Sequence, residues 1–213
     1  MNTKTKKLTT VAMLCAMSYV AMLVCRIPVV LFLKYEPKDV LITIGGFLFG
    51  PMISFVVSLV VALVEMVTVS ETGLIGCLMN LLSSCAFACT AAWVYRKKRT
   101  ISGAVLGLSV GVVIMTVLML LWNYLITPIY MIMPRESLAE MLIPVFLPFN
   151  LLKGGLNMAI TLLLYRPLVT ALRKTGLVEQ GTGQKKMKPG ILLVGLLLLA
   201  TCVLLILVWK GIL

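Results

Sequence analysis

The chain of 213 residues contains no histidine. That absence removes His-based metal centres, Ser-His-Asp and Cys-His catalysis and histidine proton relays together. Charge is scarce as well, at 12% of residues, against roughly 25% in an ordinary soluble domain. The six cysteines (15, 25, 77, 85, 89 and 202) mostly lie inside apolar stretches and form no C-x-x-C pair. Thiols there behave as small hydrophobes, so no disulfide framework is expected. Walker A, G-x-S-x-G, H-E-x-x-H and paired-acid motifs are all missing, which leaves no catalytic residues and no metal site to nominate.

What fills the chain instead is apolar: 61% of residues are hydrophobic and the mean hydropathy is +1.11. A domain this size cannot hide so many apolar side chains from water, so lipid must solvate the excess. The expected fold is therefore an all-α integral membrane protein. Its net charge of +12 comes from 19 Lys and Arg against seven Asp and Glu. These charges sit in short runs beside apolar spans, which fits the positive-inside rule and gives no reason to invoke nucleic acid. The start, MNTKTKKLTT, is basic like a signal peptide, but the apolar stretch behind it runs to about residue 27 without a small-x-small cleavage site. It reads as a retained first helix.

Five segments are long enough to span: roughly 8–27, 51–70, 73–95, 101–128 and 142–172. A further apolar run, 190–209, follows a Gly/Gln/Lys linker at 176–189. The stretch 37–49 would make a helix of only about 20 Å against a hydrocarbon core of about 30 Å. Charge decides in its favour. If it crosses, Lys4, Lys6, Lys7, Arg96 to Arg99 and the 173–188 linker share one side, while Glu36, Asp39, Glu71, Glu136 and Glu140 share the other. The expectation is six core helices over 1–175 with both ends cytoplasmic, Gly50-Pro51 as the turn between helices two and three, and an appended seventh helix over 190–213 that leaves the C-terminus outside. The linker's composition marks it as a tether, so the appended helix is expected to be dispensable for ligand binding.

A short second helix requires the preceding segment, RIPVVLFLKYEPKD (26–39), to reach into the membrane from outside. Pro28 and Pro37 resist continuous helix there, so irregular backbone lining a cavity is one reading and an ordinary external connection is the other. In lipid the polar residues carry the information. Asn150, Lys153, Asn157 and Thr161 lie at i, i+3, i+7 and i+11, one stripe along the last core helix. Lys153 in that stripe should point into a wet or ligand-filled cavity, the alternative being a lysine that snorkels outward. Asn123, Thr127 and Tyr130 fall near one face at the end of the fifth helix. Glu65 on the third helix has three open roles: lining the pocket, pairing with Lys153, or standing near the outer interface. Such amides, hydroxyls and aromatics suit a flat, uncharged heteroaromatic ligand. Near the basic end of the first helix, Ala12 and Ala16 form a small-x-x-x-small pair that permits close approach of another helix, within the chain or from a partner.

These features together resemble the riboflavin-specific S component of energy-coupling factor (ECF) transporters: Ala12-x-x-x-Ala16, KYEPKD at 34–39, FLFGP closing the second helix, WNYLITPIY at 122–130 and FNLLKGGLN at 149–157. The likeness covers about residues 5 to 175. It implies a six-helix vitamin-binding bundle in a bacterial cell membrane, without a cofactor or enzymatic activity of its own. It further implies riboflavin as the transported substrate, with a transmembrane T component and two ATPase subunits as partners. Asn123, Asn150 and Lys153 match positions that hydrogen-bond the isoalloxazine edge, Tyr35, Asp39, Glu65, Tyr130 and Asn157 join the candidate ligand-binding set, and Ala12 and Ala16 match the T-component surface. The segment 176–213 has no counterpart in that plan.

Three other readings compete. An S component for a cationic vitamin such as thiamine should place several carboxylates in the pocket, and Glu65 is the only acid inside an expected span. A small intramembrane enzyme using Glu65 and Lys153 as acid and base lacks a second acid or nucleophile motif. A retinal-type photoreceptor would want a lysine on its seventh helix, where only Lys210 occurs, at the end.

Overall fold

The computed structural model describes residues 3–30, 33–70, 72–131, 134–174 and 189–209. It is helical throughout except for one short ribbon. Helix α1 (Thr3–Val24) leads into strands β1 (Ile27–Val30) and β2 (Leu33–Tyr35), followed by α2 (Lys38–Phe49) and α3 (Pro51–Thr68). Then come α4 (Gly73–Lys98), α5 (Ile101–Leu125) and the short α6 (Thr127–Met131). Helix α7 is built from Arg135–Met141, a π-helical turn Leu142–Phe146 and Leu147–Lys174, and α8 is Pro189–Trp209. Five of these helices are long and apolar enough to cross a membrane, so this is a multi-pass membrane protein.

Helix α2 has only 12 residues, about 18 Å, and packs along α3 from Glu65, which Lys38 meets, to Ser54. Ser54 Oγ donates to the Ile42 carbonyl at 3.2 Å, and with the Lys38–Glu65 pair this shows the two helices to be antiparallel. At its far end the Phe47 ring lies 4.5 Å from Tyr95 and 5.7 Å from Tyr165, centroid to centroid. The chain turns there at Gly50, whose φ of +100° favours glycine, and Pro51 enters the first turn of α3. A Cβ on Gly50 would sit 3.8 Å from Arg96 Nη1. The Arg96 to Arg99 cluster therefore lies at the end where α2 turns back, as the charge argument requires.

Lipid offers no hydrophobic force to hold helices together, so close packing must. The α4–α5 pair shows how: a Cβ on Gly107 or Gly111 would stand 2.7 Å from the carbonyl oxygen of Ala91 or Phe87. Only glycine permits that approach. The central core gathers Phe87, Leu108 and Met115 with Val57 and Val61 of α3 and Ile42 of α2.

Two features add to the expectations. The 26–39 segment is ordered as an antiparallel hairpin with Ile27 opposite Tyr35 and Val30 opposite Leu33, and the register is irregular at Pro28. Pro28 lacks an amide hydrogen, which accounts for the irregularity. Pairing across two strands satisfies the inward-facing backbone groups, which an irregular loop would leave open. Secondly, α8 is docked. A Cβ on Gly155 of α7 would meet Cys202 Sγ at 3.2 Å, and Cys202 shares an apolar cluster with Val29 and Tyr35 of the hairpin and Phe149, Leu152 and Leu156 of α7. The helix is therefore fixed against α7 by this small-residue contact, whatever the linker's composition. Glu71, Gln184, Lys210 and most of the 176–189 linker lie outside the described residues.

Candidate functional site

Beneath the hairpin the first turn of α2 carries two adjacent charges, Lys38 and Asp39, both fully buried. Successive helical residues point about 100° apart, so the two side chains serve different neighbours. Lys38 Nζ bonds Glu36 Oε2 at 2.7 Å and Glu65 Oε2 of α3. Glu65 Oε1 also accepts from Asn80 Nδ2 of α4 at 2.9 Å, and Glu36 Oε1 is ion-paired with Arg26 Nε at 2.9 Å. Burial works against ionisation of Glu36, but the charge and hydrogen bond of Lys38, with Lys153 and Arg26 behind it, hold its carboxyl below the usual range.

Asp39 faces the other way. Its Oδ1 accepts from Ser84 Oγ at 2.5 Å and its Oδ2 from Asn157 Nδ2 at 3.2 Å, while Lys153 Nζ stands 3.8 Å from Oδ2. Lys153 also donates to Ser83 Oγ at 3.2 Å, and Tyr35 Oη donates to Asn157 Oδ1 at 3.1 Å. Burial, reinforced by the Asp39 charge, pushes the Tyr35 phenol up, so it remains protonated and able to donate. The two arms hold three cations (Arg26, Lys38, Lys153) and three anions (Glu36, Asp39, Glu65). With the partly exposed Arg26 counted, the ion-paired network is electrically balanced, which lowers the cost of burying it.

The structure thus links Tyr35, Asp39, Lys153 and Asn157 in one network, and the charged partner of Glu65 is Lys38, not Lys153. Lys153 is buried within the bundle, which excludes the outward snorkel. Asn150, one turn before Lys153, donates to the Phe146 carbonyl at 2.8 Å, where the π-helical turn of α7 ends. Asn123 is buried on α5 and accepts from Thr127 Oγ1 at 3.1 Å; among the described residues no hydrogen bond ties it to the Asp39 network. The side chain of Tyr130 lies outside the described residues. Ala12 and Ala16 are exposed on the side of α1 away from its buried Leu14, Ser18 and Met22.

Sequence reasoning did not nominate Arg26, Glu36, Lys38, Ser83 or Ser84. A charge count could not have singled out the first three, since residues 26–65 also carry Lys34 and with Lys153 hold four bases to three acids. The serines offered no signal, because Ser is common in membrane helices. The described residues contain no cluster of His, Cys, Asp or Glu able to hold a metal ion.

A multi-pass helical protein with a balanced polar site roofed by a hairpin has the build of a membrane subunit that captures a small ligand from one side. The chain belongs to the family of ECF transporter substrate-specific components, which matches over residues 6–165, ending before α8 begins. It is 28% identical over 178 residues to the riboflavin transporter RibU of Staphylococcus aureus strain TCH60, covering 79% of this chain and 93% of that protein. It is 28% identical over 163 residues to the riboflavin transporter FmnP of Bacillus subtilis strain 168, covering 71% of this chain and 85% of that one. A solved S component of a bacterial ECF transporter superposes with a TM-score of 0.66 at 28% identity, covering 80% of this chain and 99% of the other.

Proposed function

We propose that this chain is the riboflavin-binding subunit of an ECF-type uptake transporter. The hairpin end faces outside and takes the vitamin, the basic end and the N-terminus face the cytoplasm, and the C-terminus lies outside. Asn123, Asn150 and Lys153 read the hydrogen-bonding edge of the isoalloxazine. A T component meets the exposed Ala12 and Ala16 face, and its two ATPase subunits supply the energy that a bundle without a nucleotide motif lacks. The subunit catalyses nothing itself, and riboflavin is cargo.

The observation that carries this reading is the agreement between the relatives, which are riboflavin transporters, and a site whose three acids are each committed to protein partners. A cationic vitamin would find no free carboxylate there among the described residues, whereas a neutral flavin needs only donors and acceptors. Purification in mild detergent from riboflavin-fed cells tests it: the protein should carry the visible bands of oxidised flavin, and acid-released material should be riboflavin by mass. A colourless protein that quenches no added riboflavin fluorescence would refute the reading.

A further inference from the structure

Asp39 makes no sense as a ligand contact in this geometry. It has no exposed surface, and its carboxylate is divided among protein groups: Oδ1 to Ser84 of α4, Oδ2 to Asn157 of α7, with the Lys153 ammonium 3.8 Å from the same oxygen. We propose that Asp39 is the positioning residue of the site, acting on the flavin through Lys153 and Asn157 without touching it. The inference rests on the riboflavin reading above and adds to it which residue sets the geometry of the donors.

An ammonium has three N–H bonds and no preferred direction of its own. In this site Ser83 takes one and the Asp39 charge draws the group toward α2, so the remaining donor capacity is aimed by exclusion. The Asn157 amide is clamped at both ends, its nitrogen by Asp39 and its oxygen by Tyr35. Replacing the carboxylate with an amide leaves one acceptor where there were two, so Asp39→Asn cannot accept from both Ser84 and Asn157 as the carboxylate does, and it also removes the counter-charge of a buried lysine. The Lys153 ammonium then loses the charge that draws it toward α2, and the Asn157 amide loses a charged acceptor, while both donors remain present. Because Tyr35 of the hairpin bonds Asn157, the roof is tied to the carboxylate one step removed, through the Asn157 amide.

A double-mutant cycle in the full-length protein separates this role from simple structural support. Riboflavin fluorescence quenching is titrated for wild type, Asp39→Asn, Lys153→Met and the double variant. Each single change should weaken riboflavin by about 5- to 150-fold, as when a buried charged partner is lost, and the double variant should be no weaker than Lys153→Met alone. The visible bands of bound flavin, which report hydrogen bonding to the ring, should shift in Asp39→Asn in the same direction as in Lys153→Met. Multiplicative losses, or an Asp39→Asn protein with unchanged affinity and spectrum, overturn the proposal. Should Asp39→Asn not accumulate, Ser84→Ala keeps every charge and frees only Oδ1. It should weaken binding about two- to tenfold beside Lys153 and not beside Met at that position, and equal losses in both backgrounds again overturn it. A wild-type protein that binds no riboflavin would bring down the functional reading itself, an outcome distinct from both.

Discussion

The Lys38 ammonium is the most exposed test of the charge argument, because it is buried between two carboxylates that serve different elements. Its side chain has 2% of its surface accessible and that of Glu65 has 3%, so solvent screening does not soften the interaction. Lys38→Met deletes the cation and leaves Glu65 with only the Asn80 amide, while Glu36 retains Arg26. Removing one partner of a buried pair costs about 3–5 kcal/mol, because an uncompensated charge remains. Glu65→Gln is milder. Lys38 keeps Glu36 at 2.7 Å, the amide can still meet Asn80, and the loss is that of one charge-assisted bond, about 1.5–3 kcal/mol. The double variant removes both charges together, so its loss should fall well short of the sum, with a coupling of at least about 2 kcal/mol. The measurement is thermal unfolding of the purified proteins in one detergent without flavin, since ligand would add its own stabilisation. At roughly 2–4 °C per kcal/mol for a chain of this size, Lys38→Met should lower the midpoint by on the order of 10 °C, and adding Glu65→Gln should restore part of it. Losses that add within about 0.5 kcal/mol would show that the two groups do not depend on each other, and the balanced-network account would be wrong.

Three further outcomes follow from other parts of the molecule. The Glu36 carboxyl is held below its ordinary range, so its ionised form stabilises the fold above the unfolded value of about 4.3. That contribution is lost as pH falls through the lower folded value: flavin retention should be flat from pH 5 to 8 and fall below about pH 4, and the fall should be smaller in Glu36→Gln. Ala12→Trp with Ala16→Trp adds bulk to an exposed face of α1, so riboflavin binding should persist while uptake and co-purification with a T component disappear; loss of binding would place the pair in intramolecular packing after all. Gly155→Leu should wedge α8 off α7 and the hairpin cluster, leaving equilibrium binding within about tenfold but accelerating riboflavin release in stopped-flow chase experiments, and an unchanged release rate would return α8 to the status of a dispensable appendage.

The long helices were legible because a bilayer imposes a length: runs of about 20 apolar residues announce themselves. Helix α2 was too short for that test, and it emerged only because the Arg96 to Arg99 cluster had to share a side with Lys4, Lys6 and Lys7. The hairpin stayed hidden. The sequence between its strands offers none of the Asn-Gly or Asp-Gly chemistry that marks a two-residue connection, and its prolines argued against any regular structure. The alternation that places Val29 and Tyr35 in the apolar cluster is only a few residues long, below what periodicity can resolve. The docking of α8 was illegible for a different reason. Its face is set by Gly155 and Cys202, and in a helix apolar on every side no amphipathic stripe points to the buried surface.

At the site, the α7 stripe was legible because a lysine and two amides in a lipid-spanning segment must have an interior use. Pairing was not, because three acids and three bases allow many matchings and the sequence does not order them by distance. What selects the observed matching is the first turn of α2. Lys38 and Asp39 are neighbours in the chain and so cannot share a face, which sends the cation to α3 and the anion to α4 and α7. The division has a functional consequence. The Lys38 arm is closed at both ends by Arg26 and Asn80, whereas the Lys153 ammonium stands 3.8 Å from its carboxylate, beyond hydrogen-bond length. One arm is built to hold the roof on the bundle. The other keeps unspent donor capacity, which is where a neutral ligand with carbonyl oxygens gains most from binding.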